Sequence, residues 1–363
     1  MTPSSRPLAA CLPLLFVAGL SVAVPLTAAV AMPFTQPRDA SGRFVNLDGS
    51  RPNTLGAVLK WSVWDKLAGR RRKSPDHAPV PAVAPDLALL AMPPPPGAPA
   101  RVTWLGHAGF LVQLEGISLL IDPALRPEGT VGVRRNVPVP LTVGQLPPIR
   151  AVLVSHGHYD HLDLGTLRAV HAPIIGGLGM ERYFRDRGLP CTELGWWSSA
   201  KVGDVTVTFV PAQHWSRRGL LDENALLWGG FVIQGQGATL YHAGDTAAFE
   251  GFAQIGARFP SIDAALLPIG AYDPAWFMAK QHLDPEQALQ AFQTLGARTF
   301  VAMHWGMFKL TDEPLDEPPR RLEAERVRMG LPLERVRVPA VGETFEVSHG
   351  GAAALRSAAA PEP

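Results

Sequence analysis

Two facing β-sheets covered by helices, a layered α/β (α+β) architecture, are what this sequence predicts, and three observations lead there. Short apolar runs separated by glycine-bearing turns recur along the chain in two groups. Each group is accompanied by stretches with helical spacing, as sheets covered by helices require. Several of the runs end directly in histidine or aspartate, which sets polar groups along one rim of a rigid scaffold. With 363 residues, 47% of them hydrophobic, the chain can bury a sizeable core and is too apolar to be mostly disordered.

Taken in order, residues 1–31 read as a signal peptide or membrane anchor. Arg6 is followed by an uncharged run from Leu8 to Ala31 that ends Ala29-Val30-Ala31, and the run is long enough to cross a bilayer. The location expected is therefore exported, periplasmic or membrane-anchored facing the periplasm. Cleavage after Ala31 removes Cys11 and leaves Cys191 alone, so no disulfide framework can form. Residues 32–100 read as an N-terminal extension and Pro-rich linker. Within it, Leu55–Leu67 has helical spacing around Trp61 and Trp64. The run Arg70-Arg71-Arg72-Lys73 is either a solvated helix end or a contact for anionic headgroups. The stretch Ala78–Ala100, with Pro93-Pro94-Pro95-Pro96-Gly97, has linker composition.

The ordered domain is expected over 101–345, with a flexible tail over 346–363. Strands are predicted at Val102–Leu105, Phe110–Leu114, Ile117–Ile121, Ala151–Ser155, Val205–Val210, Gly230–Ile233, Thr239–His242, Ala264–Pro268 and Thr299–Met303. Helices are predicted at Leu164–Val170, Met180–Arg187, Pro285–Leu295 and Leu322–Met329. Asp284-Pro285-Glu286 supplies an N-cap, a first-turn proline and an early acid for the third of these. Lys and Arg number 33 against 32 Asp and Glu, so there is no global basic field to hold nucleic acid.

The chemistry is concentrated in Ser155-His156-Gly157-His158-Tyr159-Asp160-His161-Leu162-Asp163. Three imidazoles and a carboxylate crowded after a strand repel when charged and lack partners when neutral. A divalent ion taking nitrogen and oxygen ligands removes that conflict. His156 and His158, two apart in extended chain, share a face and converge on one ion, while Asp160 and His161 turn toward a second. His214, Asp245 and His304 each follow another predicted strand, and five of the 11 histidines fall in this set. One partition gives the first ion His156, His158 and His214 and the second Asp160, His161 and His304, with Asp245 bridging. The nitrogen and oxygen donors suit two zinc ions best, and also fit iron or manganese. A structural zinc site closes with four protein ligands, whereas seven shared between two ions leave room for solvent, which favours catalysis.

This pattern resembles the metallo-β-lactamase superfamily, His-x-His-x-Asp-His followed by separate His, Asp and His. The resemblance is closer to one branch, the N-acyl phosphatidylethanolamine-hydrolysing phospholipases D. It rests on Trp104-Leu105-Gly106-His107-Ala108, Ser155 to Asp163, Gln213-His214-Trp215, Ala243-Gly244-Asp245-Thr246, Pro268-Ile269-Gly270-Ala271-Tyr272, Gln281-His282-Leu283-Asp284-Pro285 and His304-Trp305-Gly306, with Gly42-Arg43-Phe44-Val45-Asn46 upstream. It runs from about Gly42 to about Val338. It implies an αββα sandwich with a di-zinc site at one edge, and hydrolysis of the distal phosphodiester of N-acyl phosphatidylethanolamine to phosphatidate and an N-acylethanolamine. Paired ions activate water and stabilise charge on phosphoryl oxygens. Asp245 is expected to bridge them and Asp160 to orient the nucleophile.

His282, just before the cap at Asp284, matches a motif of that branch and is the third catalytic candidate, reaching the phosphate or the leaving group. Asp163 is either a support for a ligand imidazole or a helix cap, and His107 and His242 read as core residues. Arg217 and Arg218, just after His214-Trp215, read either as a phosphate contact or as exposed basic groups, the commoner case. Trp276-Phe277-Met278 is expected to line an acyl-chain groove, dip into a bilayer or pack on the core. A phospholipid substrate, a membrane surface and a homodimer are the partners expected, and nucleic acid is not. Two other functions fit the same residues: hydrolysis of a lactone or sugar-phosphate, and a non-catalytic, metal-stabilised binding protein.

Overall fold

The computed structural model describes residues 27–30, 34–130 and 132–350; most of the 1–31 segment and the end of the expected tail, 351–363, lie outside the described residues. In chain order the strands and helices are β1 Thr27–Val30, α1 Leu55–Leu59, α2 Leu87–Leu90, β2 Ala100–Gly106, β3 Gly109–Leu114, β4 Ile117–Ile121, β5 Ala151–Val154, α3 Leu164–Val170, β6 Ile174–Gly177, α4 Met180–Arg185, β7 Cys191–Leu194 and β8 Ser199–Val202. They continue as β9 Val205–Val210, β10 Gly230–Gln234, β11 Thr239–His242, α5 Gly251–Arg258, β12 Ala264–Pro268, α6 Ala275–Met278, α7 Pro285–Leu295, β13 Thr299–Met303, α8 Glu317–Arg328, β14 Val336–Arg337 and β15 Thr344–Val347.

The strands form two mixed sheets. One has the order β1-β8-β9-β10-β11-β12-β13-β14 and the other β15-β2-β3-β4-β5-β6-β7. In each, antiparallel pairing at one end gives way to parallel pairing, from β11 onward in the first and from β4 onward in the second. Helices α3 and α4 pack on the second sheet, and α5, α7 and α8 on the first.

Strand β3 explains why its stretch is apolar throughout. Phe110, Val112 and Leu114 face the first sheet, while Leu111 faces the helical layer together with Leu120, Val152 and Val154. A sheet covered on both faces needs no polar alternation. The sandwich interior is filled by Trp104, Phe110, Phe209, Phe231 and Tyr241, all fully buried.

Pro-rich composition at 78–100 does not make a linker here. Arg101 Nη1 donates to the carbonyls of Leu89 and Met92, both at 2.8 Å, and Gln113 Nε2 donates to Leu90 at 2.7 Å. Ala82 bridges Val341, and Pro94 accepts from Gly116 at 2.7 Å. Proline leaves the chain extended with free carbonyls, and the domain's side chains and backbone take them up. The basic run is likewise held: Arg71 forks onto Asp312, and Arg72 Nη1 lies 3.0 Å from Glu317 Oε1.

Other boundaries shift for local reasons. Helix α8 starts five residues before the expected Leu322, because Pro318 and Pro319 are accepted in its first turn. The last strand, β15, runs two residues past 345. Strands β6, β7 and β8 have four residues each, too short to show a period. Among the described residues no helix is long and apolar enough to cross a membrane.

Candidate metal centre

Polar residues gather at the rim where the ends of the two sheets meet. Past Val154 the β5 strand opens into a tight turn, in which the His158 carbonyl accepts from Leu162 N–H at 2.8 Å. That turn aims His156, His158 and His161 inward and starts α3, with Asp163 as its N-cap. Asp163 accepts from Gly165 N and Thr166 Oγ1 and pairs with Arg126 at 2.8 Å, so it caps the helix and supports no ligand imidazole. His214 follows β9, Asp245 follows β11 and His304 follows β13. Gly244 must be glycine: its φ is +62°, and a Cβ there would meet the Gly229 carbonyl at 2.7 Å.

The seven expected ligands converge. His156 Nε2 and His214 Nε2 lie 2.8 and 3.2 Å from His158 Nδ1, and Asp245 Oδ2 stands 3.9 and 3.7 Å from the same two Nε2 atoms. Beside this group, His161 Nε2 is 3.3 Å from Asp245 Oδ2 and 3.8 Å from Asp160 Oδ2. His304 Nε2 is 3.0 Å from Asp245 Oδ1 and 4.0 Å from Asp160 Oδ2. Donors bound at about 2.1 Å to one tetrahedral ion stand about 3.4 Å apart, so both groups have the spacing of a coordination shell.

The chemistry of the donors fits a divalent ion. His161 Nε2, His304 Nε2 and Asp245 Oδ1 are buried and, although they crowd one another, make no aligned hydrogen bond, an expensive arrangement unless something else satisfies them. The outer nitrogens of His156, His161 and His214 are committed. His214 Nδ1 faces the Gln281 carbonyl at 2.8 Å and His161 Nδ1 faces Asp122 Oδ2 at 2.8 Å, both acceptors, so each Nδ1 carries a proton and each Nε2 is turned to the site. There neutral His214 presents its lone pair, and His161 would present one on losing its second proton. Ser155 Oγ donates to Asp122 Oδ2 at 2.6 Å, which leaves it to accept from His156 Nδ1 at 2.9 Å. One buried carboxylate, Asp122, thereby sets the tautomer of two ligands.

Electrostatics divides the two groups. Burial and the neighbouring imidazoles push His156 well below its ordinary value, and burial does the same for His214. His158 falls to about 4, chiefly by burial. All three are neutral nitrogen donors near pH 7. For His161, burial is outweighed by Asp245, Asp160 and Asp122, which hold its pKa well above the ordinary imidazole range. Burial of Asp245 is overcome by His161 and His304, and it stays ionised.

His282 and two of the three expected acyl-groove residues border the same space. His282 Nδ1 is 3.9 Å from Asp245 Oδ2, and burial lowers its pKa to about 4. A cleft of about 370 Å³ opens over His158, Asp160, Asp245 and His282. Phe277 and Met278 lie in its wall, facing Leu55, Val58 and Trp61 from the N-terminal extension. Trp61 stacks on Phe277 with ring centroids 5.0 Å apart. Trp276 points away, half exposed, with Lys60 Nζ 4.0 Å over its ring. Arg217 lines the cleft, whereas Arg218 donates to the carbonyls of Gly157 and Leu162 and holds the ligand loop.

His242 is a core residue, bonded to the Ala108 carbonyl at 2.9 Å. His107 is not: its Nε2 lies 2.9 Å from Asp160 Oδ2, inside the second group of donors. Sequence reasoning passed over Asp122, and gave Asn46 no role beyond its place in the segment Gly42 to Asn46. Asp122 is the first residue after β4, so the strand-end rule that found the other ligands would have found it. Asn46 Oδ1 accepts from His214 N–H and Trp228 Nε1, a long-range contact with no local signature.

A family model for the beta-lactamase superfamily domain matches residues 118–305. An uncharacterized protein of Mycobacterium tuberculosis is 37% identical over 330 residues, 84% of this chain and 85% of the relative. N-acyl-phosphatidylethanolamine-hydrolyzing phospholipase D 1 of Caenorhabditis elegans is 34% identical over 242 residues, 61% of this chain and 68% of its own length. Among solved structures, the metallo hydrolase Igni18 of the archaeon Ignicoccus hospitalis is similar with a TM-score of 0.54 at 25% identity, over 69% of this chain and 98% of that one.

Proposed function

Because the chain belongs to the metallo-β-lactamase superfamily, in a branch like the N-acyl-phosphatidylethanolamine-hydrolysing phospholipases D, we propose that it is a two-zinc phosphodiesterase of an N-acylated phospholipid. The protein is a metal-dependent hydrolase of the metallo-β-lactamase fold. The proposal adds the substrate, the phospholipase D type of cleavage, the identity and number of the ions, and a membrane surface as partner.

The observation that carries the substrate class is the make-up of the cleft. Its floor is His158, Asp160, Asp245 and His282, and its wall is Leu55, Val58, Trp61, Phe277 and Met278, with Arg217 among the lining residues. Such a cleft suits an amphiphile whose phosphodiester sits over the ions while its chains lie against the apolar wall. When bound, two zinc ions would lower the pKa of water and offset charge on the phosphoryl oxygens. The protein supplies the rest. Asp122 fixes the imidazoles of His156 and His161, and Asp160 faces the cleft as acceptor for the attacking water. Breaking the bond between phosphorus and the N-acylethanolamine oxygen requires a proton on that oxygen, and His282, kept neutral near pH 7 by burial, stands at the floor to take up the proton that the attacking water gives off and pass it there.

A lipid surface as partner is supported by what surrounds the cleft. The α1 segment and the helical turn that continues it to Asp65 turn apolar side chains outward: Leu55 is 71% exposed, Trp64 62% and Leu67 81%. Three large apolar side chains this open, beside a cleft, mark an interaction site, and Trp64 with Lys66 gives the mixed aromatic and cationic face of an interfacial segment. The exported location expected from residues 1–31 is part of the same proposal.

The test is hydrolysis by the purified protein of N-acyl phosphatidylethanolamine vesicles, set beside soluble esters, lactones and sugar-phosphates. Release of N-acylethanolamine and phosphatidate is expected. Activity confined to the soluble substrates would remove the lipid reading, and binding without turnover of any of them would leave a metal-stabilised binding protein.

A further inference from the structure

His107 occupies a place that a core residue would not need. It sits in the turn between β2 and β3 at φ +56°, left-handed backbone that a side chain other than glycine's rarely adopts. Its ring is tilted over His304 with centroids 4.0 Å apart, and Phe308 packs edge-on against it at 5.0 Å. An ionised carboxylate only accepts, so at 2.9 Å the His107 Nε2 donates to Asp160 Oδ2, the oxygen that faces His161 and His304. The main chain is engaged too. The His107 carbonyl accepts the His304 N–H at 2.9 Å and Trp104 Nε1–H, also at 2.9 Å. His304 is itself left-handed at φ +61°.

One residue of the second sheet thus fixes two residues that arrive from separate elements, Asp160 from the loop after β5 and His304 from the end of β13 in the opposite sheet. Among the described residues no hydrogen bond or ring contact joins His107 to His156, His158 or His214; Ser155 holds His156, and Gln281 and Asn46 hold His214. We propose that His107 is a positioning residue for the second ion alone, holding Asp160 through its side chain and His304 through its carbonyl. The proposal rests on the two-ion reading of the site.

The experiment is zinc stoichiometry and affinity, by elemental analysis and competitive titration, for the parent protein, His107→Ala and His107→Gln. Glutamine places an amide N–H near the position of the imidazole Nε2, so it keeps the donor and drops the ring. With the parent holding two ions, His107→Ala is expected to keep one tightly bound ion and to bind the other 10- to 100-fold more weakly, the usual loss when a ligand's support is removed. His107→Gln is expected to recover most of that loss. Two tightly bound ions in His107→Ala, or equal weakening of both, overturns the inference while leaving the two-ion reading standing. Equal losses in His107→Ala and His107→Gln assign the effect to packing and also overturn it. A parent that binds one ion or none removes the two-ion reading itself, and the inference with it.

Discussion

Asp122 is fully buried, and three hydrogen bonds converge on its carboxylate: Ser155 N–H, Ser155 Oγ–H and His161 Nδ1–H, at 2.8, 2.6 and 2.8 Å. Removing it frees His161 to turn and lets His156 change tautomer. Asp122→Asn is therefore expected to weaken zinc binding 10- to 100-fold without unfolding the sandwich, measured by competitive titration alongside thermal denaturation. Unchanged affinity would mean the imidazoles orient themselves. The contrast between the two groups of donors gives a second expectation. His156, His158 and His214 are already neutral at pH 7, whereas His161 carries a proton held by three carboxylates. A ligand nitrogen must lose its proton, so loading metal-free protein at pH 7 is expected to release protons, from His161 and from water that the ions acidify. Calorimetry in buffers of different ionisation enthalpy reads the number released, and no release would contradict the charge assigned to His161. At this scale the sequence was most legible where ligands follow strands at short spacing. His107 escaped because its neighbours are apolar and its partner lies 53 residues away.

Among elements, the N-terminal extension departs most from its composition. A proline-rich, charge-flanked stretch reads as a spacer, yet it supplies one wall of the cleft and the acceptor behind His214. The reason is that its contacts are with distant residues, Gln213 with Asp48 and Ser50, Arg71 with Asp312, and no local pattern encodes them. The spacing around Trp61 and Trp64 did signal a helix. Part of its apolar stripe walls the cleft, with Trp61 stacked on Phe277, while Trp64 and Leu67 face out beside it. Replacing Trp64 and Leu67 together by Ser is expected to weaken binding to N-acyl phosphatidylethanolamine vesicles about tenfold, from the apolar area withheld from the bilayer. Turnover of a short-chain analogue of the same lipid, held below the concentration at which it forms micelles, should be unchanged. Equal loss in both assays would place these residues in the chemistry instead. The strands bearing ligands were the most readable elements, because a run buried on both faces is apolar without interruption.

For the whole molecule, the arrangement of the sheets does the organising. Strands β4, β5, β11 and β13 end at one rim, so Asp122, His156, Asp245 and His304 meet although 182 residues separate the first from the last. The two layers were legible from the grouping of the strands, whereas the pairing order was not, since register between distant strands is set by packing rather than by local pattern. The central claim is that hydrolysis of a phospholipid depends on ions held by these donors. It is tested most directly by removing the metal from one preparation, measuring N-acylethanolamine release from vesicles, and adding zinc back while counting bound ions. The account predicts negligible turnover without metal and recovery that is complete at two zinc ions per chain. Undiminished hydrolysis by metal-free protein would contradict it.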